Sequence, residues 1–360
     1  MEEPVKFWFE TQPKDRIRVG FIGCGDHAYR NVYPSFRYTP IDLRAVCDLR
    51  QDRAEAFART FGAPAALTDH RELLRNPEIE AVFIVTNYTP EGHPRATALA
   101  LEAVRAGKHV WMEKPPASSV GQLIELRQAA LEHKRTVMVG FKKMFTPGVE
   151  KLQRIIASPE FGGLSSITVR YPESLPANPA DDKAMVGFLD HIVHPGSVLH
   201  ALAGPIKRLT IEREERTGAT VATLRFASGV VGALHLSAGQ SGTSRLERVE
   251  IVGKGSNAVL DNGIHLTWYR PGNRGPYGRA ASFVREDAMA PLTWEPEFSL
   301  GNLANNNLFL LGYVQEIDAF CRAVREGVQP PKANLDDAIA ILRLYEAYRR
   351  PPGQPVDLEA

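Results

Sequence analysis

The sequence has few features of a secreted, membrane-bound or nucleic-acid-binding protein. Its 360 residues include only three cysteines, Cys24, Cys47 and Cys321, and none of them forms a C-x-x-C pair. This argues against a disulfide scaffold and predicts a reducing compartment. No apolar run reaches the about 18 residues that span a bilayer, and no basic segment precedes an apolar one at the N-terminus. The net charge of +1 provides no overall field for nucleic acid or membrane. We therefore expect a soluble cytoplasmic protein with neither kind of partner.

The histidines and cysteines also lack the spacing of a closed metal site. His93, His191 and His200 are the histidines that would be considered as zinc ligands, but no cysteine or histidine pair accompanies them at a suitable interval. No metal is predicted.

A turn of small residues follows the first strand-like run of the chain. Residues 16–23 are rich in branched side chains and lead into Gly23-Cys24-Gly25-Asp26-His27-Ala28, before a helical pattern that extends to about Ser35. In a G-x-G-x-x-A turn the first glycine permits the bend, the second admits a pyrophosphate, and the small last residue lets the helix pack on the strand. The helix N-terminus offers N–H groups to the phosphates. The pattern therefore predicts a dinucleotide site.

An acidic residue follows the second strand-like run, residues 41–47. Asp48 lies 23 residues beyond Gly25. An acid at about this separation accepts a hydrogen bond from the ribose 2′-hydroxyl group and favours NAD over NADP. The competing interpretation is a solvated acid at the end of a strand. Arg50 and Arg53 could contact an adenine or a 2′-phosphate, so NAD is predicted while NADP stays open.

Strand-like and helical runs alternate as far as residue 140. Residues 80–85 form an apolar run that ends in Thr86-Asn87-Tyr88, and residues 108–112 form another that leads into Glu113-Lys114-Pro115. This alternation predicts a doubly wound parallel sheet, whose ligands bind at the carboxyl ends of the strands. Both polar segments are therefore expected beside the nicotinamide.

The chain resembles the Gfo/Idh/MocA oxidoreductases at Gly23-x-Gly25-x-x-Ala28, Cys47-Asp48, Ala106-Gly-Lys-His-Val110 and Glu113-Lys114-Pro115. The similarity extends over about residues 16–350 and is most specific at the Glu-Lys-Pro motif. It implies an α/β fold, with an N-terminal Rossmann domain and a C-terminal α/β domain built on a large, open, mainly antiparallel sheet. It also implies a homodimer or homotetramer that forms through this sheet.

The chain length alone exceeds what one hydrophobic core supports, so two domains are predicted. With the resemblance, we expect an N-terminal arm at 1–15 and an NAD-binding Rossmann domain at 16–140. A substrate-binding and dimerisation domain, with C-terminal helices that return to the body, is expected at 141–350, followed by a tail at 351–360.

The resemblance and the glycine pattern together indicate the residues that contact the cofactor. These are Gly23, Gly25, Asp26, His27, Ala28, Asp48, Arg50, Thr86, Asn87, Tyr88, His93, Glu113 and Lys114. The interval from Thr86 to His93 is longer than is common in the family, which predicts a reshaped loop beside the nicotinamide.

The resemblance further implies a catalytic lysine that works with an Asp and a His spaced i, i+4 in the second domain. Lys114, Asp190 and His194 match this pattern, while Ile192 and Ser197 stand where the family usually has a glycine and often has an acid. The expected substrate-binding residues are Lys114, Lys142, Tyr171, Asp190, His191 and His194.

The sequence also supports structural predictions for three further parts of the second half. Because proline is tolerated only in the first turn of a helix, Pro195 predicts a helix start near His194 or a kink there. The Gly- and Arg-rich residues 270–287 predict a solvated loop, with Arg274 or Arg279 on an anionic substrate group as the alternative. Residues 308–325 and 335–348 predict two amphipathic helices.

The expected activity is the NAD(H)-dependent interconversion of a secondary alcohol and a ketone on a sugar, polyol or sugar derivative. His194 is the expected base, Lys114 would hold the reacting oxygen, and Asp190 would orient the histidine or bind a neighbouring hydroxyl group. One alternative is a sugar lyase, hydrolase or epimerase that oxidises a carbon transiently and recycles its NAD. The other is a non-catalytic NAD-binding regulator, which would not need an intact Glu113-Lys114-Pro115 motif and His194.

Overall fold

A computed structural model describes residues 16–272, 290–297, 299 and 306–358 of the chain. The expected N-terminal arm, Arg274 and Arg279 lie outside these residues. The strands are β1 (Ile17–Ile22), β2 (Ile41–Cys47), β3 (Ala65–Leu67), β4 (Ala81–Ile84), β5 (His109–Glu113), β6 (Val137–Gly140), β7 (Ser166–Tyr171), β8 (Ile206–Arg213), β9 (Thr220–Phe226), β10 (Val231–Leu236), β11 (Arg248–Val252), β12 (Asn257–Asp261), β13 (His265–Tyr269), β14 (Leu292–Trp294) and β15 (Pro355–Asp357). The α-helices are α1 (Gln51–Phe61), α2 (His70–Arg75), α3 (Ala96–Arg105), α4 (Val120–Glu132), α5 (Pro147–Ala157), α6 (Asp182–Ala203), α7 (Asn306–Leu310), α8 (Tyr313–Glu326) and α9 (Leu335–Tyr348).

The chain divides into two compact units. The first contains the residues up to Lys142 together with Asn307–Leu342, and the second contains Lys143–Asn306 and the chain from Arg343 onward. The domain limits expected from the sequence stay a prediction. Among the helices that the structure describes, none is long and apolar enough to cross a membrane.

The first unit is built on a six-stranded parallel sheet with the order β3-β2-β1-β4-β5-β6. Strands β4 and β6 are buried at every position, because a parallel sheet is covered by helices on both faces. The strand order reverses between β1 and β4, whose carboxyl ends therefore border the crevice where such sheets bind ligands. The predicted doubly wound parallel sheet is confirmed.

The second unit contains a nine-stranded sheet with the order β14-β13-β12-β11-β7-β10-β9-β8-β15. Its strand pairs are antiparallel except for β7 and β10. Buried and exposed residues alternate along β7 and β9, as expected for a sheet with one face covered and one face open. This confirms the predicted mainly antiparallel second sheet.

The helix after the glycine turn is less regular than its sequence pattern predicts. A helix begins at Asp26, continues as a π-helical turn at Ala28–Val32 and ends as a 3₁₀ helix at Tyr33–Tyr38. Pro34 lies at the start of the 3₁₀ segment. Because proline has no N–H group to donate to the preceding turn, an α-helical ladder cannot continue through it.

Two other helix predictions are wrong, the second of them in part. The helix predicted at residues 308–325 is split into α7 and α8, because Gly312 has a left-handed φ of 88°. Of the two outcomes predicted at Pro195, a helix start near His194 is wrong, because a single α6 continues through the proline, while a kink there stays a prediction. Residues 192–199 are buried without interruption, and this apolar burial outweighs the cost of about 3 kcal/mol for an interior proline.

Candidate functional site

The glycine turn after β1 has the geometry that its sequence pattern predicts. Gly23 has a φ of 110°, and a Cβ atom there would lie 1.8 Å from the carbonyl oxygen of Val85, so no other residue fits. A Cβ atom on Gly25 would meet nothing within 4 Å, which leaves open space next to the backbone. Ala28 is fully buried, and Asp26 is exposed at the start of the helix. The turn therefore has an open approach at its second glycine.

Asp48 ties the end of β2 to this turn. Its Oδ2 atom accepts a hydrogen bond of 2.8 Å from the backbone N–H of Cys24, and its Oδ1 atom accepts one of 3.0 Å from the backbone N–H of Arg50. The Arg50 guanidinium is directed to Asp52, with its Nε atom 3.1 Å from Oδ1. The carboxylate is thus held beside the glycine turn, where a ribose acceptor is required.

A dinucleotide fits the residues at this edge of the sheet. The glycine turn provides a helix N-terminus and a gap that a side chain would fill. At the end of β4, the buried Oγ1 atom of Thr86 has no hydrogen-bond partner among the described residues. Because buried polar atoms are normally paired, this hydroxyl group is suited to a bound polar group. The first unit therefore has the features of a dinucleotide site.

The loop that follows Thr86 doubles back on itself. Tyr88 forms an isolated β-bridge with Pro94, and the Nε atom of Arg95 donates to the Tyr88 carbonyl at 3.2 Å. Asn87 is exposed, while the Nδ1 atom of His93 lies 3.0 Å from the Oγ atom of Ser118. These contacts connect the loop to the segment just beyond Lys114.

The Glu113 carboxylate connects the glycine turn to Lys114. Its Oε1 atom lies 2.8 Å from the Nε2 atom of His27, and its Oε2 atom accepts a hydrogen bond of 2.8 Å from the backbone N–H of Lys114. Burial alone would raise the pKa of Glu113, but the hydrogen bond from His27 and the charges of Lys114 and Lys142 outweigh burial and lower it. Glu113 is therefore ionised at neutral pH. A hydrogen bond to such a charge stabilises by about 1.5–3 kcal/mol.

Two residues that sequence reasoning missed complete this group. The hydroxyl group of Tyr313 lies 3.1 Å from the Nε2 atom of His27 and 3.1 Å from the Nζ atom of Lys142. Glu316 lies one turn further along α8 and is fully buried, and neither of its carboxyl oxygens has a hydrogen-bond partner within the described ranges. Burial and the nearby charge of Glu113 raise the pKa of Glu316 well above its ordinary value, although Lys142 and Lys332 oppose this. Glu316 therefore keeps its proton to a higher pH than Glu113 does.

In the second unit, helix α6 carries the predicted acid and histidines. Asp190 and His194 are four residues apart and share one helical face. His194 is buried, Asp190 is half-buried and His191 is exposed. The Nδ1 atom of His191 lies 2.9 Å from the Oε2 atom of Glu173, just after β7.

Tyr171, at the end of β7, lies among charged side chains of the same unit. Its ring centroid is 6.3 Å from that of His194 and 5.1 Å from the Nζ atom of Lys143, which also pairs with Glu247. Burial raises the pKa of Tyr171, and the negative charges of Glu247, Glu173 and Asp190 raise it further. The structure therefore brings together three predicted residues, Tyr171, Asp190 and His194.

Lys143, Glu173 and Glu247 belong to the same group of side chains, but sequence reasoning did not select them. Their positions follow no recognisable motif, and the pairing of Lys143 with Glu247 joins residues 104 positions apart. In the part of the chain that the structure describes, no group of three or more His, Cys, Asp or Glu side chains could hold a metal ion.

Comparison with known proteins assigns a family to both halves of the chain. Residues 17–141 match the model of an oxidoreductase family with an NAD-binding Rossmann fold, and residues 149–259 match the model of the GFO/IDH/MocA C-terminal domain. The chain is 22% identical over 347 residues to the myo-inositol 2-dehydrogenase of Thermotoga maritima, a match that covers 92% of this chain and 96% of the relative.

Two further proteins are similar over nearly the full chain. A dTDP-3,4-didehydro-2,6-dideoxy-α-D-glucose 3-reductase of Actinomadura kijaniata is 26% identical over 349 residues, which are 92% of this chain and 95% of the relative. The crystal structure of a dehydrogenase from Chromobacterium violaceum superimposes with a TM-score of 0.76 at 21% identity, and the match covers 92% of this chain and 93% of that one. The structural match supports the fold.

Proposed function

The chain belongs to the GFO/IDH/MocA family of NAD-binding oxidoreductases, and we propose that it interconverts a secondary alcohol and a ketone on a sugar, polyol or sugar derivative. Two relatives carry names that fit this reaction, one a myo-inositol dehydrogenase and the other a 3-reductase of a nucleotide-linked sugar. The observation that carries the proposal is the attachment of Lys114 to the ionised, buried Glu113 at the carboxyl end of β5.

The reaction requires a hydride acceptor and a proton acceptor. Bound NAD supplies the hydride acceptor in the direction of oxidation. We propose that Lys114 holds the substrate oxygen and stabilises the negative charge that develops on it. His194 takes the hydroxyl proton as the carbon–hydrogen bond breaks, which leaves the ketone. Asp190, on the same face of α6, orients His194 or binds a neighbouring hydroxyl group.

Asp48 supports the assignment of NAD as the preferred cofactor. Its carboxylate is held by two backbone N–H groups at the glycine turn, and a 2′-phosphate there would meet a fixed negative charge. The nearby Arg50 is already paired with Asp52. We therefore propose that the enzyme uses NAD in preference to NADP.

Other polar side chains are proposed to bind the remaining hydroxyl groups of the substrate. Lys142 lies at the end of β6 beside Tyr313, while Tyr171 and His191 lie in the charged group of the second unit. Hydroxyl-rich substrates suit such a mixture, since each hydroxyl group both donates and accepts hydrogen bonds. The cytoplasmic location expected from the few cysteines stays a prediction.

We also propose that the open face of the second sheet mediates self-association. Val221 and Val231 on neighbouring strands are 47% and 45% exposed, and Thr223 lies beside them on the same face. Exposed apolar side chains on an open sheet face favour association with a second copy of the chain, which would bury them. Light scattering after size exclusion should show a dimer or tetramer that Val231→Lys dissociates. A wild-type monomer would contradict this proposal.

The experiment that tests the proposed reaction is a substrate panel. The purified protein is mixed with NAD and with neutral sugars, polyols or nucleotide sugars, and NADH formation is followed by absorbance. We expect NADH in proportion to the ketone formed with at least one of these substrates. Sugar conversion with retained NAD and no net NADH would instead support transient oxidation. Tight NAD binding without conversion of any substrate would support the regulator.

A further inference from the structure

The hydroxyl group of Tyr313 joins three segments of the first unit that are distant in sequence. It lies 3.1 Å from the Nε2 atom of His27, after the glycine turn, and 3.1 Å from the Nζ atom of Lys142, after β6. The same Nε2 atom lies 2.8 Å from Glu113, at the end of β5. Lys142 also lies over the Tyr313 ring, with its Nζ atom 4.6 Å from the centroid. Tyr313 itself begins α8, which sequence reasoning treated only as an amphipathic helix.

The hydrogen bonds of this group have a consistent direction. Because the Glu113 carboxylate only accepts, the Nε2 atom of His27 carries the hydrogen that it shares with Glu113. The Nδ1 atom of His27 then accepts from the Nδ2 atom of Asn31, 3.4 Å away. The single hydrogen on Nε2 is shared between the Glu113 carboxylate, at 2.8 Å, and the Tyr313 oxygen, at 3.1 Å, and the same tyrosine oxygen also accepts from Lys142. The imidazole of His27 thus has three polar partners: Glu113 and Tyr313 at Nε2, and Asn31 at Nδ1.

The other carboxylate oxygen of Glu113 accepts the backbone N–H of Lys114 at 2.8 Å. A rotation of the carboxylate would break this bond and release the chain at Lys114. His27 opposes that rotation, and Tyr313 holds His27. The orientation of the lysine backbone therefore depends on a residue of α8.

We propose that Tyr313 is a positioning residue for the reaction, which acts through His27 and Glu113 to fix Lys114 at the carboxyl end of β5. This inference rests on the catalytic role proposed for Lys114. Tyr313 itself need not touch the substrate or the cofactor. A displacement of about 1 Å at a reacting group can lower a rate by about 100-fold. A small change in the position of Lys114 should therefore lower the reaction rate measurably.

A substitution at Glu316 distinguishes this role of Tyr313 from a general contribution of α8 to packing. It lies one turn from Tyr313, is fully buried and has no hydrogen-bond partner among the described residues. Glutamine resembles the protonated form of Glu316, which burial favours, in both size and charge. Glu316→Gln therefore alters the same buried helical face without removing a hydrogen bond from His27, and it serves as the matched control on α8.

The direct readout is exchange of the Lys114 backbone amide with deuterium. Pro115 and Pro116 have no N–H group, so Lys114 carries the last exchangeable amide before Ala117. We expect Tyr313→Phe to accelerate this exchange about tenfold, since the bond to Glu113 opens more often. Glu316→Gln and Tyr348→Phe, which changes another buried tyrosine, should leave it unchanged.

A double-mutant cycle tests the proposed route. His27→Gln alone should accelerate the exchange, and the variant with both Tyr313→Phe and His27→Gln should exchange no faster than His27→Gln. Additive effects, or exchange of Lys114 at the wild-type rate in Tyr313→Phe, would overturn the proposal. If Tyr313→Phe unfolds, His27→Gln alone tests the same route, and an unchanged exchange rate at Lys114 would overturn the proposal.

Kinetics provide a second readout once the panel has identified a substrate. Tyr313→Phe should lower kcat about tenfold and leave the KM of the substrate unchanged, whereas a loss of packing would lower the amount of folded enzyme. If the wild type converts no substrate, only the proposed reaction fails. The exchange experiment would still decide the role of Tyr313.

Discussion

The Oδ2 atom of Asp48 lies 2.8 Å from the backbone nitrogen of Cys24, so the end of β2 is bonded to the middle of the glycine turn. The residue expected to select the ribose and the turn expected to hold the pyrophosphate thus form one structural unit. Changes at either position are therefore expected to act on cofactor binding, but through different physical causes.

The two glycines of the turn should respond differently to alanine. At Gly25 a new methyl group meets nothing within 4 Å, so Gly25→Ala should fold with a near-normal unfolding free energy. We expect it to bind NADH at least tenfold more weakly, since the methyl group occupies the space of the pyrophosphate. Fluorescence titration with NADH measures this loss.

Gly23→Ala is the matched comparison. Its methyl group would overlap the Val85 carbonyl oxygen at 1.8 Å and force an unfavourable φ, so the protein should lose several kcal/mol of stability. Equal stability of the two variants in urea unfolding would contradict this account of the turn.

Replacement of Asp48 should change the choice of cofactor. Asp48→Ser removes the fixed negative charge that opposes a 2′-phosphate, so we expect the NAD-to-NADP affinity ratio to fall about tenfold. Asp48→Asn provides the control, because it keeps an acceptor for the Cys24 N–H group while it removes the charge. If Asp48→Ser leaves the ratio unchanged, the carboxylate does not select the ribose.

Glu316 should make the stability of the first unit depend on pH. Its pKa in the folded protein is raised above the ordinary value of 4.5, mainly by burial. Below that value the carboxyl group is neutral in both states, and as the pH rises the unfolded chain ionises first. The unfolding free energy should therefore fall by up to about 1.4 kcal/mol per pH unit until the folded pKa is reached.

Glu316→Gln should remove this loss, so its stability advantage over the wild type should grow with pH. Urea unfolding at about pH 5 and about pH 8 measures the difference. Glu326→Gln, an exposed position of the same helix, is the control and should show no such growth. A constant difference between Glu316→Gln and the wild type would refute the raised pKa of Glu316.

His194→Asn should remove the gain in rate that accompanies rising pH. A general base works only in its deprotonated form, so the wild-type kcat should increase as the base loses its proton. Asparagine retains a polar side chain of similar reach but cannot accept the proton. A pH profile of His194→Asn with the wild-type shape would assign the base to another residue.

Local sequence patterns predict much of the first unit. The spacing of Gly23, Gly25 and Asp48 follows from the requirements of a pyrophosphate and a ribose at one sheet edge, and the strands around Lys114 are continuous apolar runs. The bond between Asp48 and Cys24 is not predictable in this way, because it depends on how two strand ends approach each other.

The role of Tyr313 escaped prediction because its partners, His27 and Lys142, lie far away in sequence, and the burial of Glu316 was missed as well. One signal was available: Glu316 is an acid on the same helical face as Tyr313, Ile317 and Phe320, all of which are buried. An acid within an apolar stripe indicates a buried polar group that is paired or neutral. The helix start expected near His194 was wrong for a different reason. Burial of α6 outweighs the local penalty of Pro195, so the helix continues through the proline.

The proposed reaction depends above all on Lys114 acting in the chemical step and not in cofactor binding. The most direct measurement compares NADH formation and NADH affinity in the wild type and in Lys114→Ala. We expect the alanine variant to lose at least 100-fold in kcat while its NADH dissociation constant changes less than about threefold. Wild-type turnover by Lys114→Ala would contradict the catalytic assignment.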